Sequence, residues 1–489
     1  YYTVEKNGVQ SEVQEYKTGS FDSVKMLYVG DPQIGASKGQ PQNGEALTAG
    51  SGAANTAARN DAFAWNRTLE IATAQNPGVN FIISAGDQVN KTGQAKEEEY
   101  AGYLSPAVLA GLPVATTIGN HDSLNPDYTY HFNNPNATEN GKTQAGGDYY
   151  SYGAGLFIVL NTNNYNVAEH EKTIQEAIAS APDAAWRVVT IHQDIYGTGL
   201  DHSDTDGMIL RTQLTPIFDK YDIDVVLQGH DHTYSRSKLL YGDGQTHGTY
   251  EFRLNADGSD YDWDNAFNTQ TDEKIPLYPE EGDTASTALH DAFQADNGCY
   301  TIEDTTGNTV VNPKGTLYMT ANSASGSKFY ELIPTQQDYI AERSQNWLPS
   351  YSVINMTETS FSIDTYQITD GGKAEKIDET FAIEKDASTA VPVASLAVGG
   401  ETYYRLRDVA AAVSGQDNQF NVSWDNGVVI TTGAAYADAV PAGTPASGSA
   451  VTLTLTVDGK SVTTPAVLAN GSYYLPASFY GTLGVTPAA

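Results

Sequence analysis

The sequence predicts an α/β fold, on three observations. Between Phe21 and about Tyr241, short apolar runs alternate with stretches of helical spacing. Five of those runs end in a turn that carries acids, amides or histidines. Hydrophobic residues make up 40% of the 489 positions, enough for a sizeable core. Strands that alternate with helices pack as layers, with helices covering a sheet. The length exceeds one ordinary domain and predicts two to four.

Taken in order, the first twenty residues, YYTVEKNGVQSEVQEYKTGS, read as two short strands around Lys6-Asn7-Gly8. Two strands alone are not stable, so this stretch is expected to be the tail of a β domain. The sequence opens at Tyr1 with no initiator Met and no signal peptide, as expected of a processed or trimmed chain from which any targeting segment has been removed. A strand then runs into Asp31, and residues 55–74 have helical spacing. Val79 to Asp87 is a strand, a helix around Lys96–Leu109 follows, and residues 112–122, LPVATTIGNHD, form the next strand and turn. GLFIVLNTN (155–163), a helix over 168–180, AWRVVTIH (185–192), a helix near 209–221 and IDVVLQGHDH (223–232) complete the alternation.

Residues 242–312 are polar, rich in Gly and Asp and weakly periodic, which predicts a long surface insertion. Strand patterns return at 315–326, 350–368 and 378–385, and 386–395 reads as a linker. Beyond it, GGETYYRLRDVAAAV (399–413) and NGSYYLPASFYGTLGV (470–485) both place a Tyr-Tyr strand before a short helix. The first copy continues into FNVSWDNGVVITTG (420–433), and the second ends before an equivalent.

Composition narrows the function. The net charge is −34, from 60 acids against 26 bases, and such a surface repels long nucleic acid and anionic membrane faces. The one cysteine, Cys299, excludes an internal disulfide framework and a Cys-based zinc site. No run of 18 apolar residues exists, so no membrane span is encoded. Abundant Tyr, Thr, Asn and Gly beside few Lys and Arg suit a secreted or surface protein.

The chemistry lies at the strand ends: Asp31-Pro32-Gln33, Gly86-Asp87, Gly119-Asn120-His121-Asp122, His192 and Gly229-His230-Asp231-His232. Ligand sites in open α/β sheets are built at such ends. One histidine after a strand, His192 for instance, is ordinarily a core residue; five polar ends in series are not a packing accident. Mixed carboxylates, amides and imidazoles suit Zn, Mn, Fe or Co better than Ca. Asp31, Asp87, Asn120, His192, His230 and His232 are too many for one open metal site. They suffice for two ions about 3.5–4 Å apart if one carboxylate bridges them.

This order of motifs resembles the calcineurin-like metallophosphoesterases, and within them the purple acid phosphatases and their bacterial relatives. The resemblance covers roughly residues 22–386. It implies a four-layer α/β/β/α sandwich, with the late strands belonging to its second sheet, preceded by a fibronectin-like β domain of which residues 1–20 would be the tail. It also implies two metal ions (Fe, Mn or Zn). Asp31, Asp87 and His232 would hold the first; Asn120, His192 and His230 the second, with Asp87 bridging. A metal-bridging hydroxide would attack the phosphorus of a small phosphate mono- or diester. His121 would stabilise charge or protonate the leaving oxygen, with Asp122 either steering it or capping the turn.

Two departures bear on the first ion. Most of the superfamily carries His where Gln33 stands, and purple acid phosphatases carry Tyr where Asn90 stands. Without that phenolate no purple colour is expected. Gln33, Asn90 or a water would complete the shell, or Gln33 would instead hydrogen-bond Asp31 from outside it. His202, Asn90, Tyr234 and Arg236 are further candidates for substrate contact, as are Tyr128, Tyr130 and His131 for lining the cleft. Packing is the plainer reading of each.

The C-terminal repeat (393–489) resembles the copper amine oxidase N-terminal-like domain, an appendage of secreted Firmicute proteins. It has no His or Cys cluster, so a spacer or cell-surface contact is expected rather than copper binding. That context also points to a secreted or surface-held bacterial protein. The sequence leaves two rivals: a cell-surface binding protein on a degenerate phosphoesterase scaffold, suggested by Gln33, and an enzyme restricted to nucleotides.

Overall fold

The computed structural model describes residues 1–488 except 38–51, 91–96, 124–126, 138–146, 201, 204, 257, 259–260, 386–390, 400, 417, 441–446 and 486. The chain forms two compact units, Tyr1–Lys385 and Asp386–Ala489.

The first unit is built on two eight-stranded sheets. In the first, Thr309–Val311, Phe381–Glu384, Ser360–Ile368, Ser350–Met356, Val24–Val29, Phe81–Ser84 and Val114–Thr116 lie side by side, and Ala374–Lys376 pairs with Ser360–Ile368. In the second the order is Tyr300–Ile302, Tyr234–Gly242, Thr316–Thr320, Val225–Gln228, Trp186–Thr190, Gly155–Leu160 and Gly147–Tyr152, with Ile340–Ser344 on Tyr234–Gly242.

Side-chain alternation along the central strands creates the layers, because successive residues of a strand face opposite sides. Met26 and Tyr28 join Phe81 and Ile83 against Val188, Val225, Leu227 and Met319 of the other sheet, which makes the inner core. Their neighbours Leu27, Val29 and Ile82 face outward onto Trp65 and Leu69 of the helix Gly52–Gln75. On the far side, Val189 and Val226 face Ile174 of Val167–Ser180 and Leu210, Leu214 and Phe218 of Asp206–Lys220. The order is α/β/β/α. Strands buried on both faces read as unbroken apolar runs, which is why they are plain in the sequence.

The strands that matter for the site are parallel: Val24–Val29, Phe81–Ser84 and Val114–Thr116 in one sheet, Trp186–Thr190 and Val225–Gln228 in the other. Their C-terminal ends reach one edge of the sandwich. Tyr28 ties the sheets there: its hydroxyl accepts from Gln228 N at 2.9 Å and also hydrogen-bonds the carbonyls of Gln228 and Met319.

One expectation changes. The late strands do not all belong to one sheet: Thr316–Thr320 lies beside Val225–Gln228, whereas Ser350–Met356 lies beside Val24–Val29. Residues 242–312, expected as a long surface insertion, carry elements of their own. They contain the sheet Tyr250–Glu251, Asn265–Asn268, Lys274–Pro276 and the helix Thr284–Asp296. Tyr250, Phe252, Ile275, Leu277 and Phe293 form their own core against Met208 and Ile209. Strands of two to four residues are too short for a period to show. At the N-terminus, Glu5–Lys6 pairs with Val9–Gln10 through Asn7 and Gly8, both at positive φ (54° and 78°), as a two-residue hairpin turn requires.

The second unit is built on a seven-stranded sheet, beside which Val391–Pro392 pairs with Pro487–Ala488. The two repeat strands, Glu401–Arg405 and Ser472–Pro476, are antiparallel neighbours, and each runs directly into a helix, Leu406–Ala412 or Ala477–Gly481. Leu406, Val409, Leu475 and Tyr480 meet in its core. Residues 386–390 of the expected linker lie outside the described residues. Among the described residues, no helix is long and apolar enough to cross a membrane.

Candidate metal centre

The backbone at the strand ends is bent in an uncommon way. Asp31, Gln33, Asp87, His230 and His232 all have positive φ (47°, 37°, 51°, 71° and 48°). Non-glycine residues rarely take that conformation, and it concentrates at functional sites where surrounding structure enforces it. Gly119 permits the closest approach: a Cβ there would sit 2.0 Å from Asp87 Oδ1 and 2.3 Å from Asp87 N. Gly86, at φ +109°, similarly leaves room for the His192 ring, since a Cβ would fall 2.4 Å from its Nδ1.

The side chains carried by these turns converge. His192 Nε2 lies 3.0 Å from Asn120 Oδ1, 3.5 Å from Asp87 Oδ1 and 3.2 Å from His230 Nδ1. His232 Nε2 lies 3.5 Å from Asp31 Oδ1. Asp87, His192 and His230 form one group with ligand atoms within 4.8 Å of one another, and Asp31, Asp87 and His232 form a second. Asp87 belongs to both.

The tautomers follow from the outer partners. His192 Nδ1 donates to the Ala85 carbonyl at 2.9 Å, His232 Nδ1 to the Lys328 carbonyl at 2.8 Å, and His230 Nε2 to Asp206 Oδ2 at 2.8 Å. Each imidazole thus spends its N–H outward and turns a lone pair inward, toward carboxylates that are also acceptors. Second partners of this kind orient ligating histidines. The donor set fits divalent or trivalent cations of the Zn, Mn, Fe class.

Electrostatics express the same crowding. Burial, then the neighbouring Asp87, push Asp31 up to about 8. Burial works to lower His192, but Asp87 outweighs it and lifts the imidazole to about 10. Burial is the largest influence on Asp87 and would raise it, yet His192 and His121 hold it well below the usual carboxylate range. Burial and the nearby His202 bring His230 down to about 4, against the pull of Asp206. Positive charge is demanded between the acids, whether as a proton or as a cation.

Gln33 is fully buried, and among the described residues neither its Oε1 nor its Nε2 has a hydrogen-bond partner, Asp31 included, which leaves the amide available for direct ligation. Asn90 acts through its backbone, its carbonyl taking a short hydrogen bond from His121 Nδ1. His121 N donates to Asp87 Oδ1 at 2.9 Å. Asp122 accepts from Gly119 N (3.0 Å) and Gln88 N (3.2 Å), contacts that fit the capping reading.

His202 does reach the centre. Its ring centroid lies 3.8 Å from that of His230, and its Nδ1 3.5 Å from Asp206 Oδ1. Asp206, at the start of its helix, thus serves two imidazoles; the sequence reading missed it, and only its spacing of four from His202 hinted at it. Tyr234 and Arg236 are structural: both bind Asp378, Arg236 through Nε at 2.7 Å and Nη2 at 3.2 Å. Tyr128 is buried on Thr116, Tyr130 is exposed, and His131 stacks on Tyr100 at 4.1 Å.

A two-sheet sandwich with clustered Asp, Asn and His ligands at its C-terminal edge defines a metallophosphoesterase-type centre. Residues 25–234 match the calcineurin-like phosphoesterase family. Two uncharacterized proteins of Mycobacterium tuberculosis, from strains CDC 1551 and H37Rv, are each 31% identical over 117 residues, covering 20% of this chain and 22% of theirs. The chain thus spans about a fifth of the length of these curated relatives. Among solved structures, the purple acid phosphatase PPD1 of yellow lupin (Lupinus luteus) aligns at 12% identity and TM-score 0.49, over 78% of this chain and 57% of that one. PhoD aligns at 12% and 0.43, over 78% and 74%. GAP50 of the Plasmodium inner membrane complex aligns at 12% and 0.36, over 73% and 89%.

Proposed function

We propose that the chain is a metal-dependent phosphoesterase that hydrolyses phosphate mono- or diesters at a two-metal centre. The observation that carries this reading is the gathering of three imidazole lone pairs and two buried carboxylates into two ligand groups that share Asp87, with every outward N–H already engaged. Asp31, Asp87, His232 and the Gln33 amide would hold one cation; Asp87, Asn120, His192 and His230 the other. When bound, such a pair supplies a water deprotonated near neutral pH and polarises the phosphate oxygens. His121, whose Nδ1 hydrogen-bonds the Asn90 carbonyl, would serve the leaving oxygen or the charge that develops. His202, steadied by Asp206, offers a second imidazole on the other side of His230. The wealth of Tyr, Thr, Asn and Gly supports placement outside the cell or at its surface, with the second unit as a spacer or contact module.

The test is hydrolysis of a chromogenic phosphate ester by metal-loaded protein, with metal content measured in parallel. Activity should be abolished by chelation and by His230→Ala. Full turnover by a verified metal-free sample would overturn the reading.

A further inference from the structure

Lys328 lies between the strands Thr316–Thr320 and Ile340–Ser344. Its carbonyl accepts the Nδ1–H of His232, so this segment is fastened to the centre. Its side chain is half-buried over Tyr330, with Nζ 4.6 Å from the ring centroid. The Tyr330 ring in turn meets His202 edge-on at 4.9 Å (85°) and His232 at 5.3 Å (89°). An ammonium, a phenol ring and two imidazoles therefore form one wall of the centre.

Among the described residues Lys328 forms no ion pair, in a chain with 60 acids and 26 bases. A half-buried ammonium held only by an aromatic face lacks a full partner. Paired clusters elsewhere show what a structural cation looks like here, Arg236 on Asp378 being one.

We propose that Lys328, held in place by Tyr330, selects the dianionic phosphate of a monoester over a diester. This rests on the phosphoesterase reading. A metal pair makes similar contacts to both ester classes. A monoester carries one more negative charge and one more free terminal oxygen, and an ammonium on the wall pairs with that oxygen.

The test uses the metal-loaded full chain, its Lys328→Met and Lys328→Arg variants, p-nitrophenyl phosphate, bis(p-nitrophenyl) phosphate, and inorganic phosphate as a calorimetric probe. In Lys328→Met the ratio of monoester to diester kcat/KM should fall about 10- to 100-fold, mainly through the monoester KM, the range of one charge-assisted hydrogen bond. Phosphate affinity should fall by a similar factor at parental metal content, and Lys328→Arg should restore most of both. Equal losses on the two esters, or unchanged phosphate affinity, would overturn the proposal. Loss of metal on substitution would also overturn it, because Lys328 would then be structural. Should the parent hydrolyse neither ester, the phosphoesterase reading fails on its own, and phosphate calorimetry still decides whether Lys328 binds the anion.

Discussion

Replacing Asp206 by Ala removes one carboxylate from two imidazoles. Asp206 Oδ2 takes the Nε2–H of His230 at 2.8 Å, and Oδ1 lies 3.5 Å from His202 Nδ1. Asp206 is 9% exposed and His230 4%, so the N–H left behind finds no bulk water. A hydrogen bond to a charged acceptor contributes ~1.5–3 kcal/mol, and ~1.4 kcal/mol is a factor of ten in affinity. Affinity for the cation held by His230 should therefore fall about 10- to 100-fold, the range found for outer partners of ligating histidines. Asp206→Asn keeps an oxygen acceptor without the charge and should lie between parent and Ala. Competition with a chromogenic chelator reads the affinity, with the thermal midpoint recorded alongside. An Asp206→Ala protein that binds both cations within about twofold of the parent, at an unchanged midpoint, would show that His230 is not oriented through Nε2, and the argument fails.

Gly119→Ala places a methyl 2.0 Å from Asp87 Oδ1 and 2.3 Å from its backbone N, so Asp87 must shift; elemental analysis should find fewer bound ions, and an unchanged count would contradict the expected clash. Arg236→Met strands the buried Asp378 and should cost ~3–5 kcal/mol, seen as a lower denaturation midpoint of the first unit. Burial raises Asp148 from 3.8 to about 7, opposed by a 2.8 Å hydrogen bond from Asn134. The folded chain therefore holds a proton there that the unfolded chain releases. Its stabilising contribution is full below pH 3.8 and is lost as pH climbs to about 7, by roughly 4 kcal/mol over the roughly 3-unit window. Asp148→Asn should flatten that part of the stability-versus-pH curve, and parallel curves for parent and variant would refute it.

The strands and the ligand types were legible because they obey local rules. Met26-Leu27-Tyr28-Val29 is apolar on both faces, and the polar residues that follow it lie where a parallel strand must end. What was hidden depends on distance in the chain. Asp206 acts on His230 from a helix start, and Lys328 reaches the centre from beyond the whole 242–312 segment. Neither stands in a pattern that a period reveals. His202 stood among the candidates for substrate contact with packing as the plainer reading, and its ring lies over His230. The small core of Tyr250, Phe252, Ile275 and Phe293 escaped for the same reason: its strands are shorter than one readable repeat.

The donors are divided between the two sheets. Asp31, Asp87 and Asn120 stand on one, His192, His230 and His232 on the other. Neither half holds a complete ligand set, so a cation clasped here rivets the seam, and a slip of one sheet across the other by an ångström would silence it. On the proposed function, a growing polypeptide would stay chemically mute until the Val225–Gln228 strand and the turn after it have been made and docked. Competence arrives with assembly, which makes ion capture a direct report that the sandwich has closed.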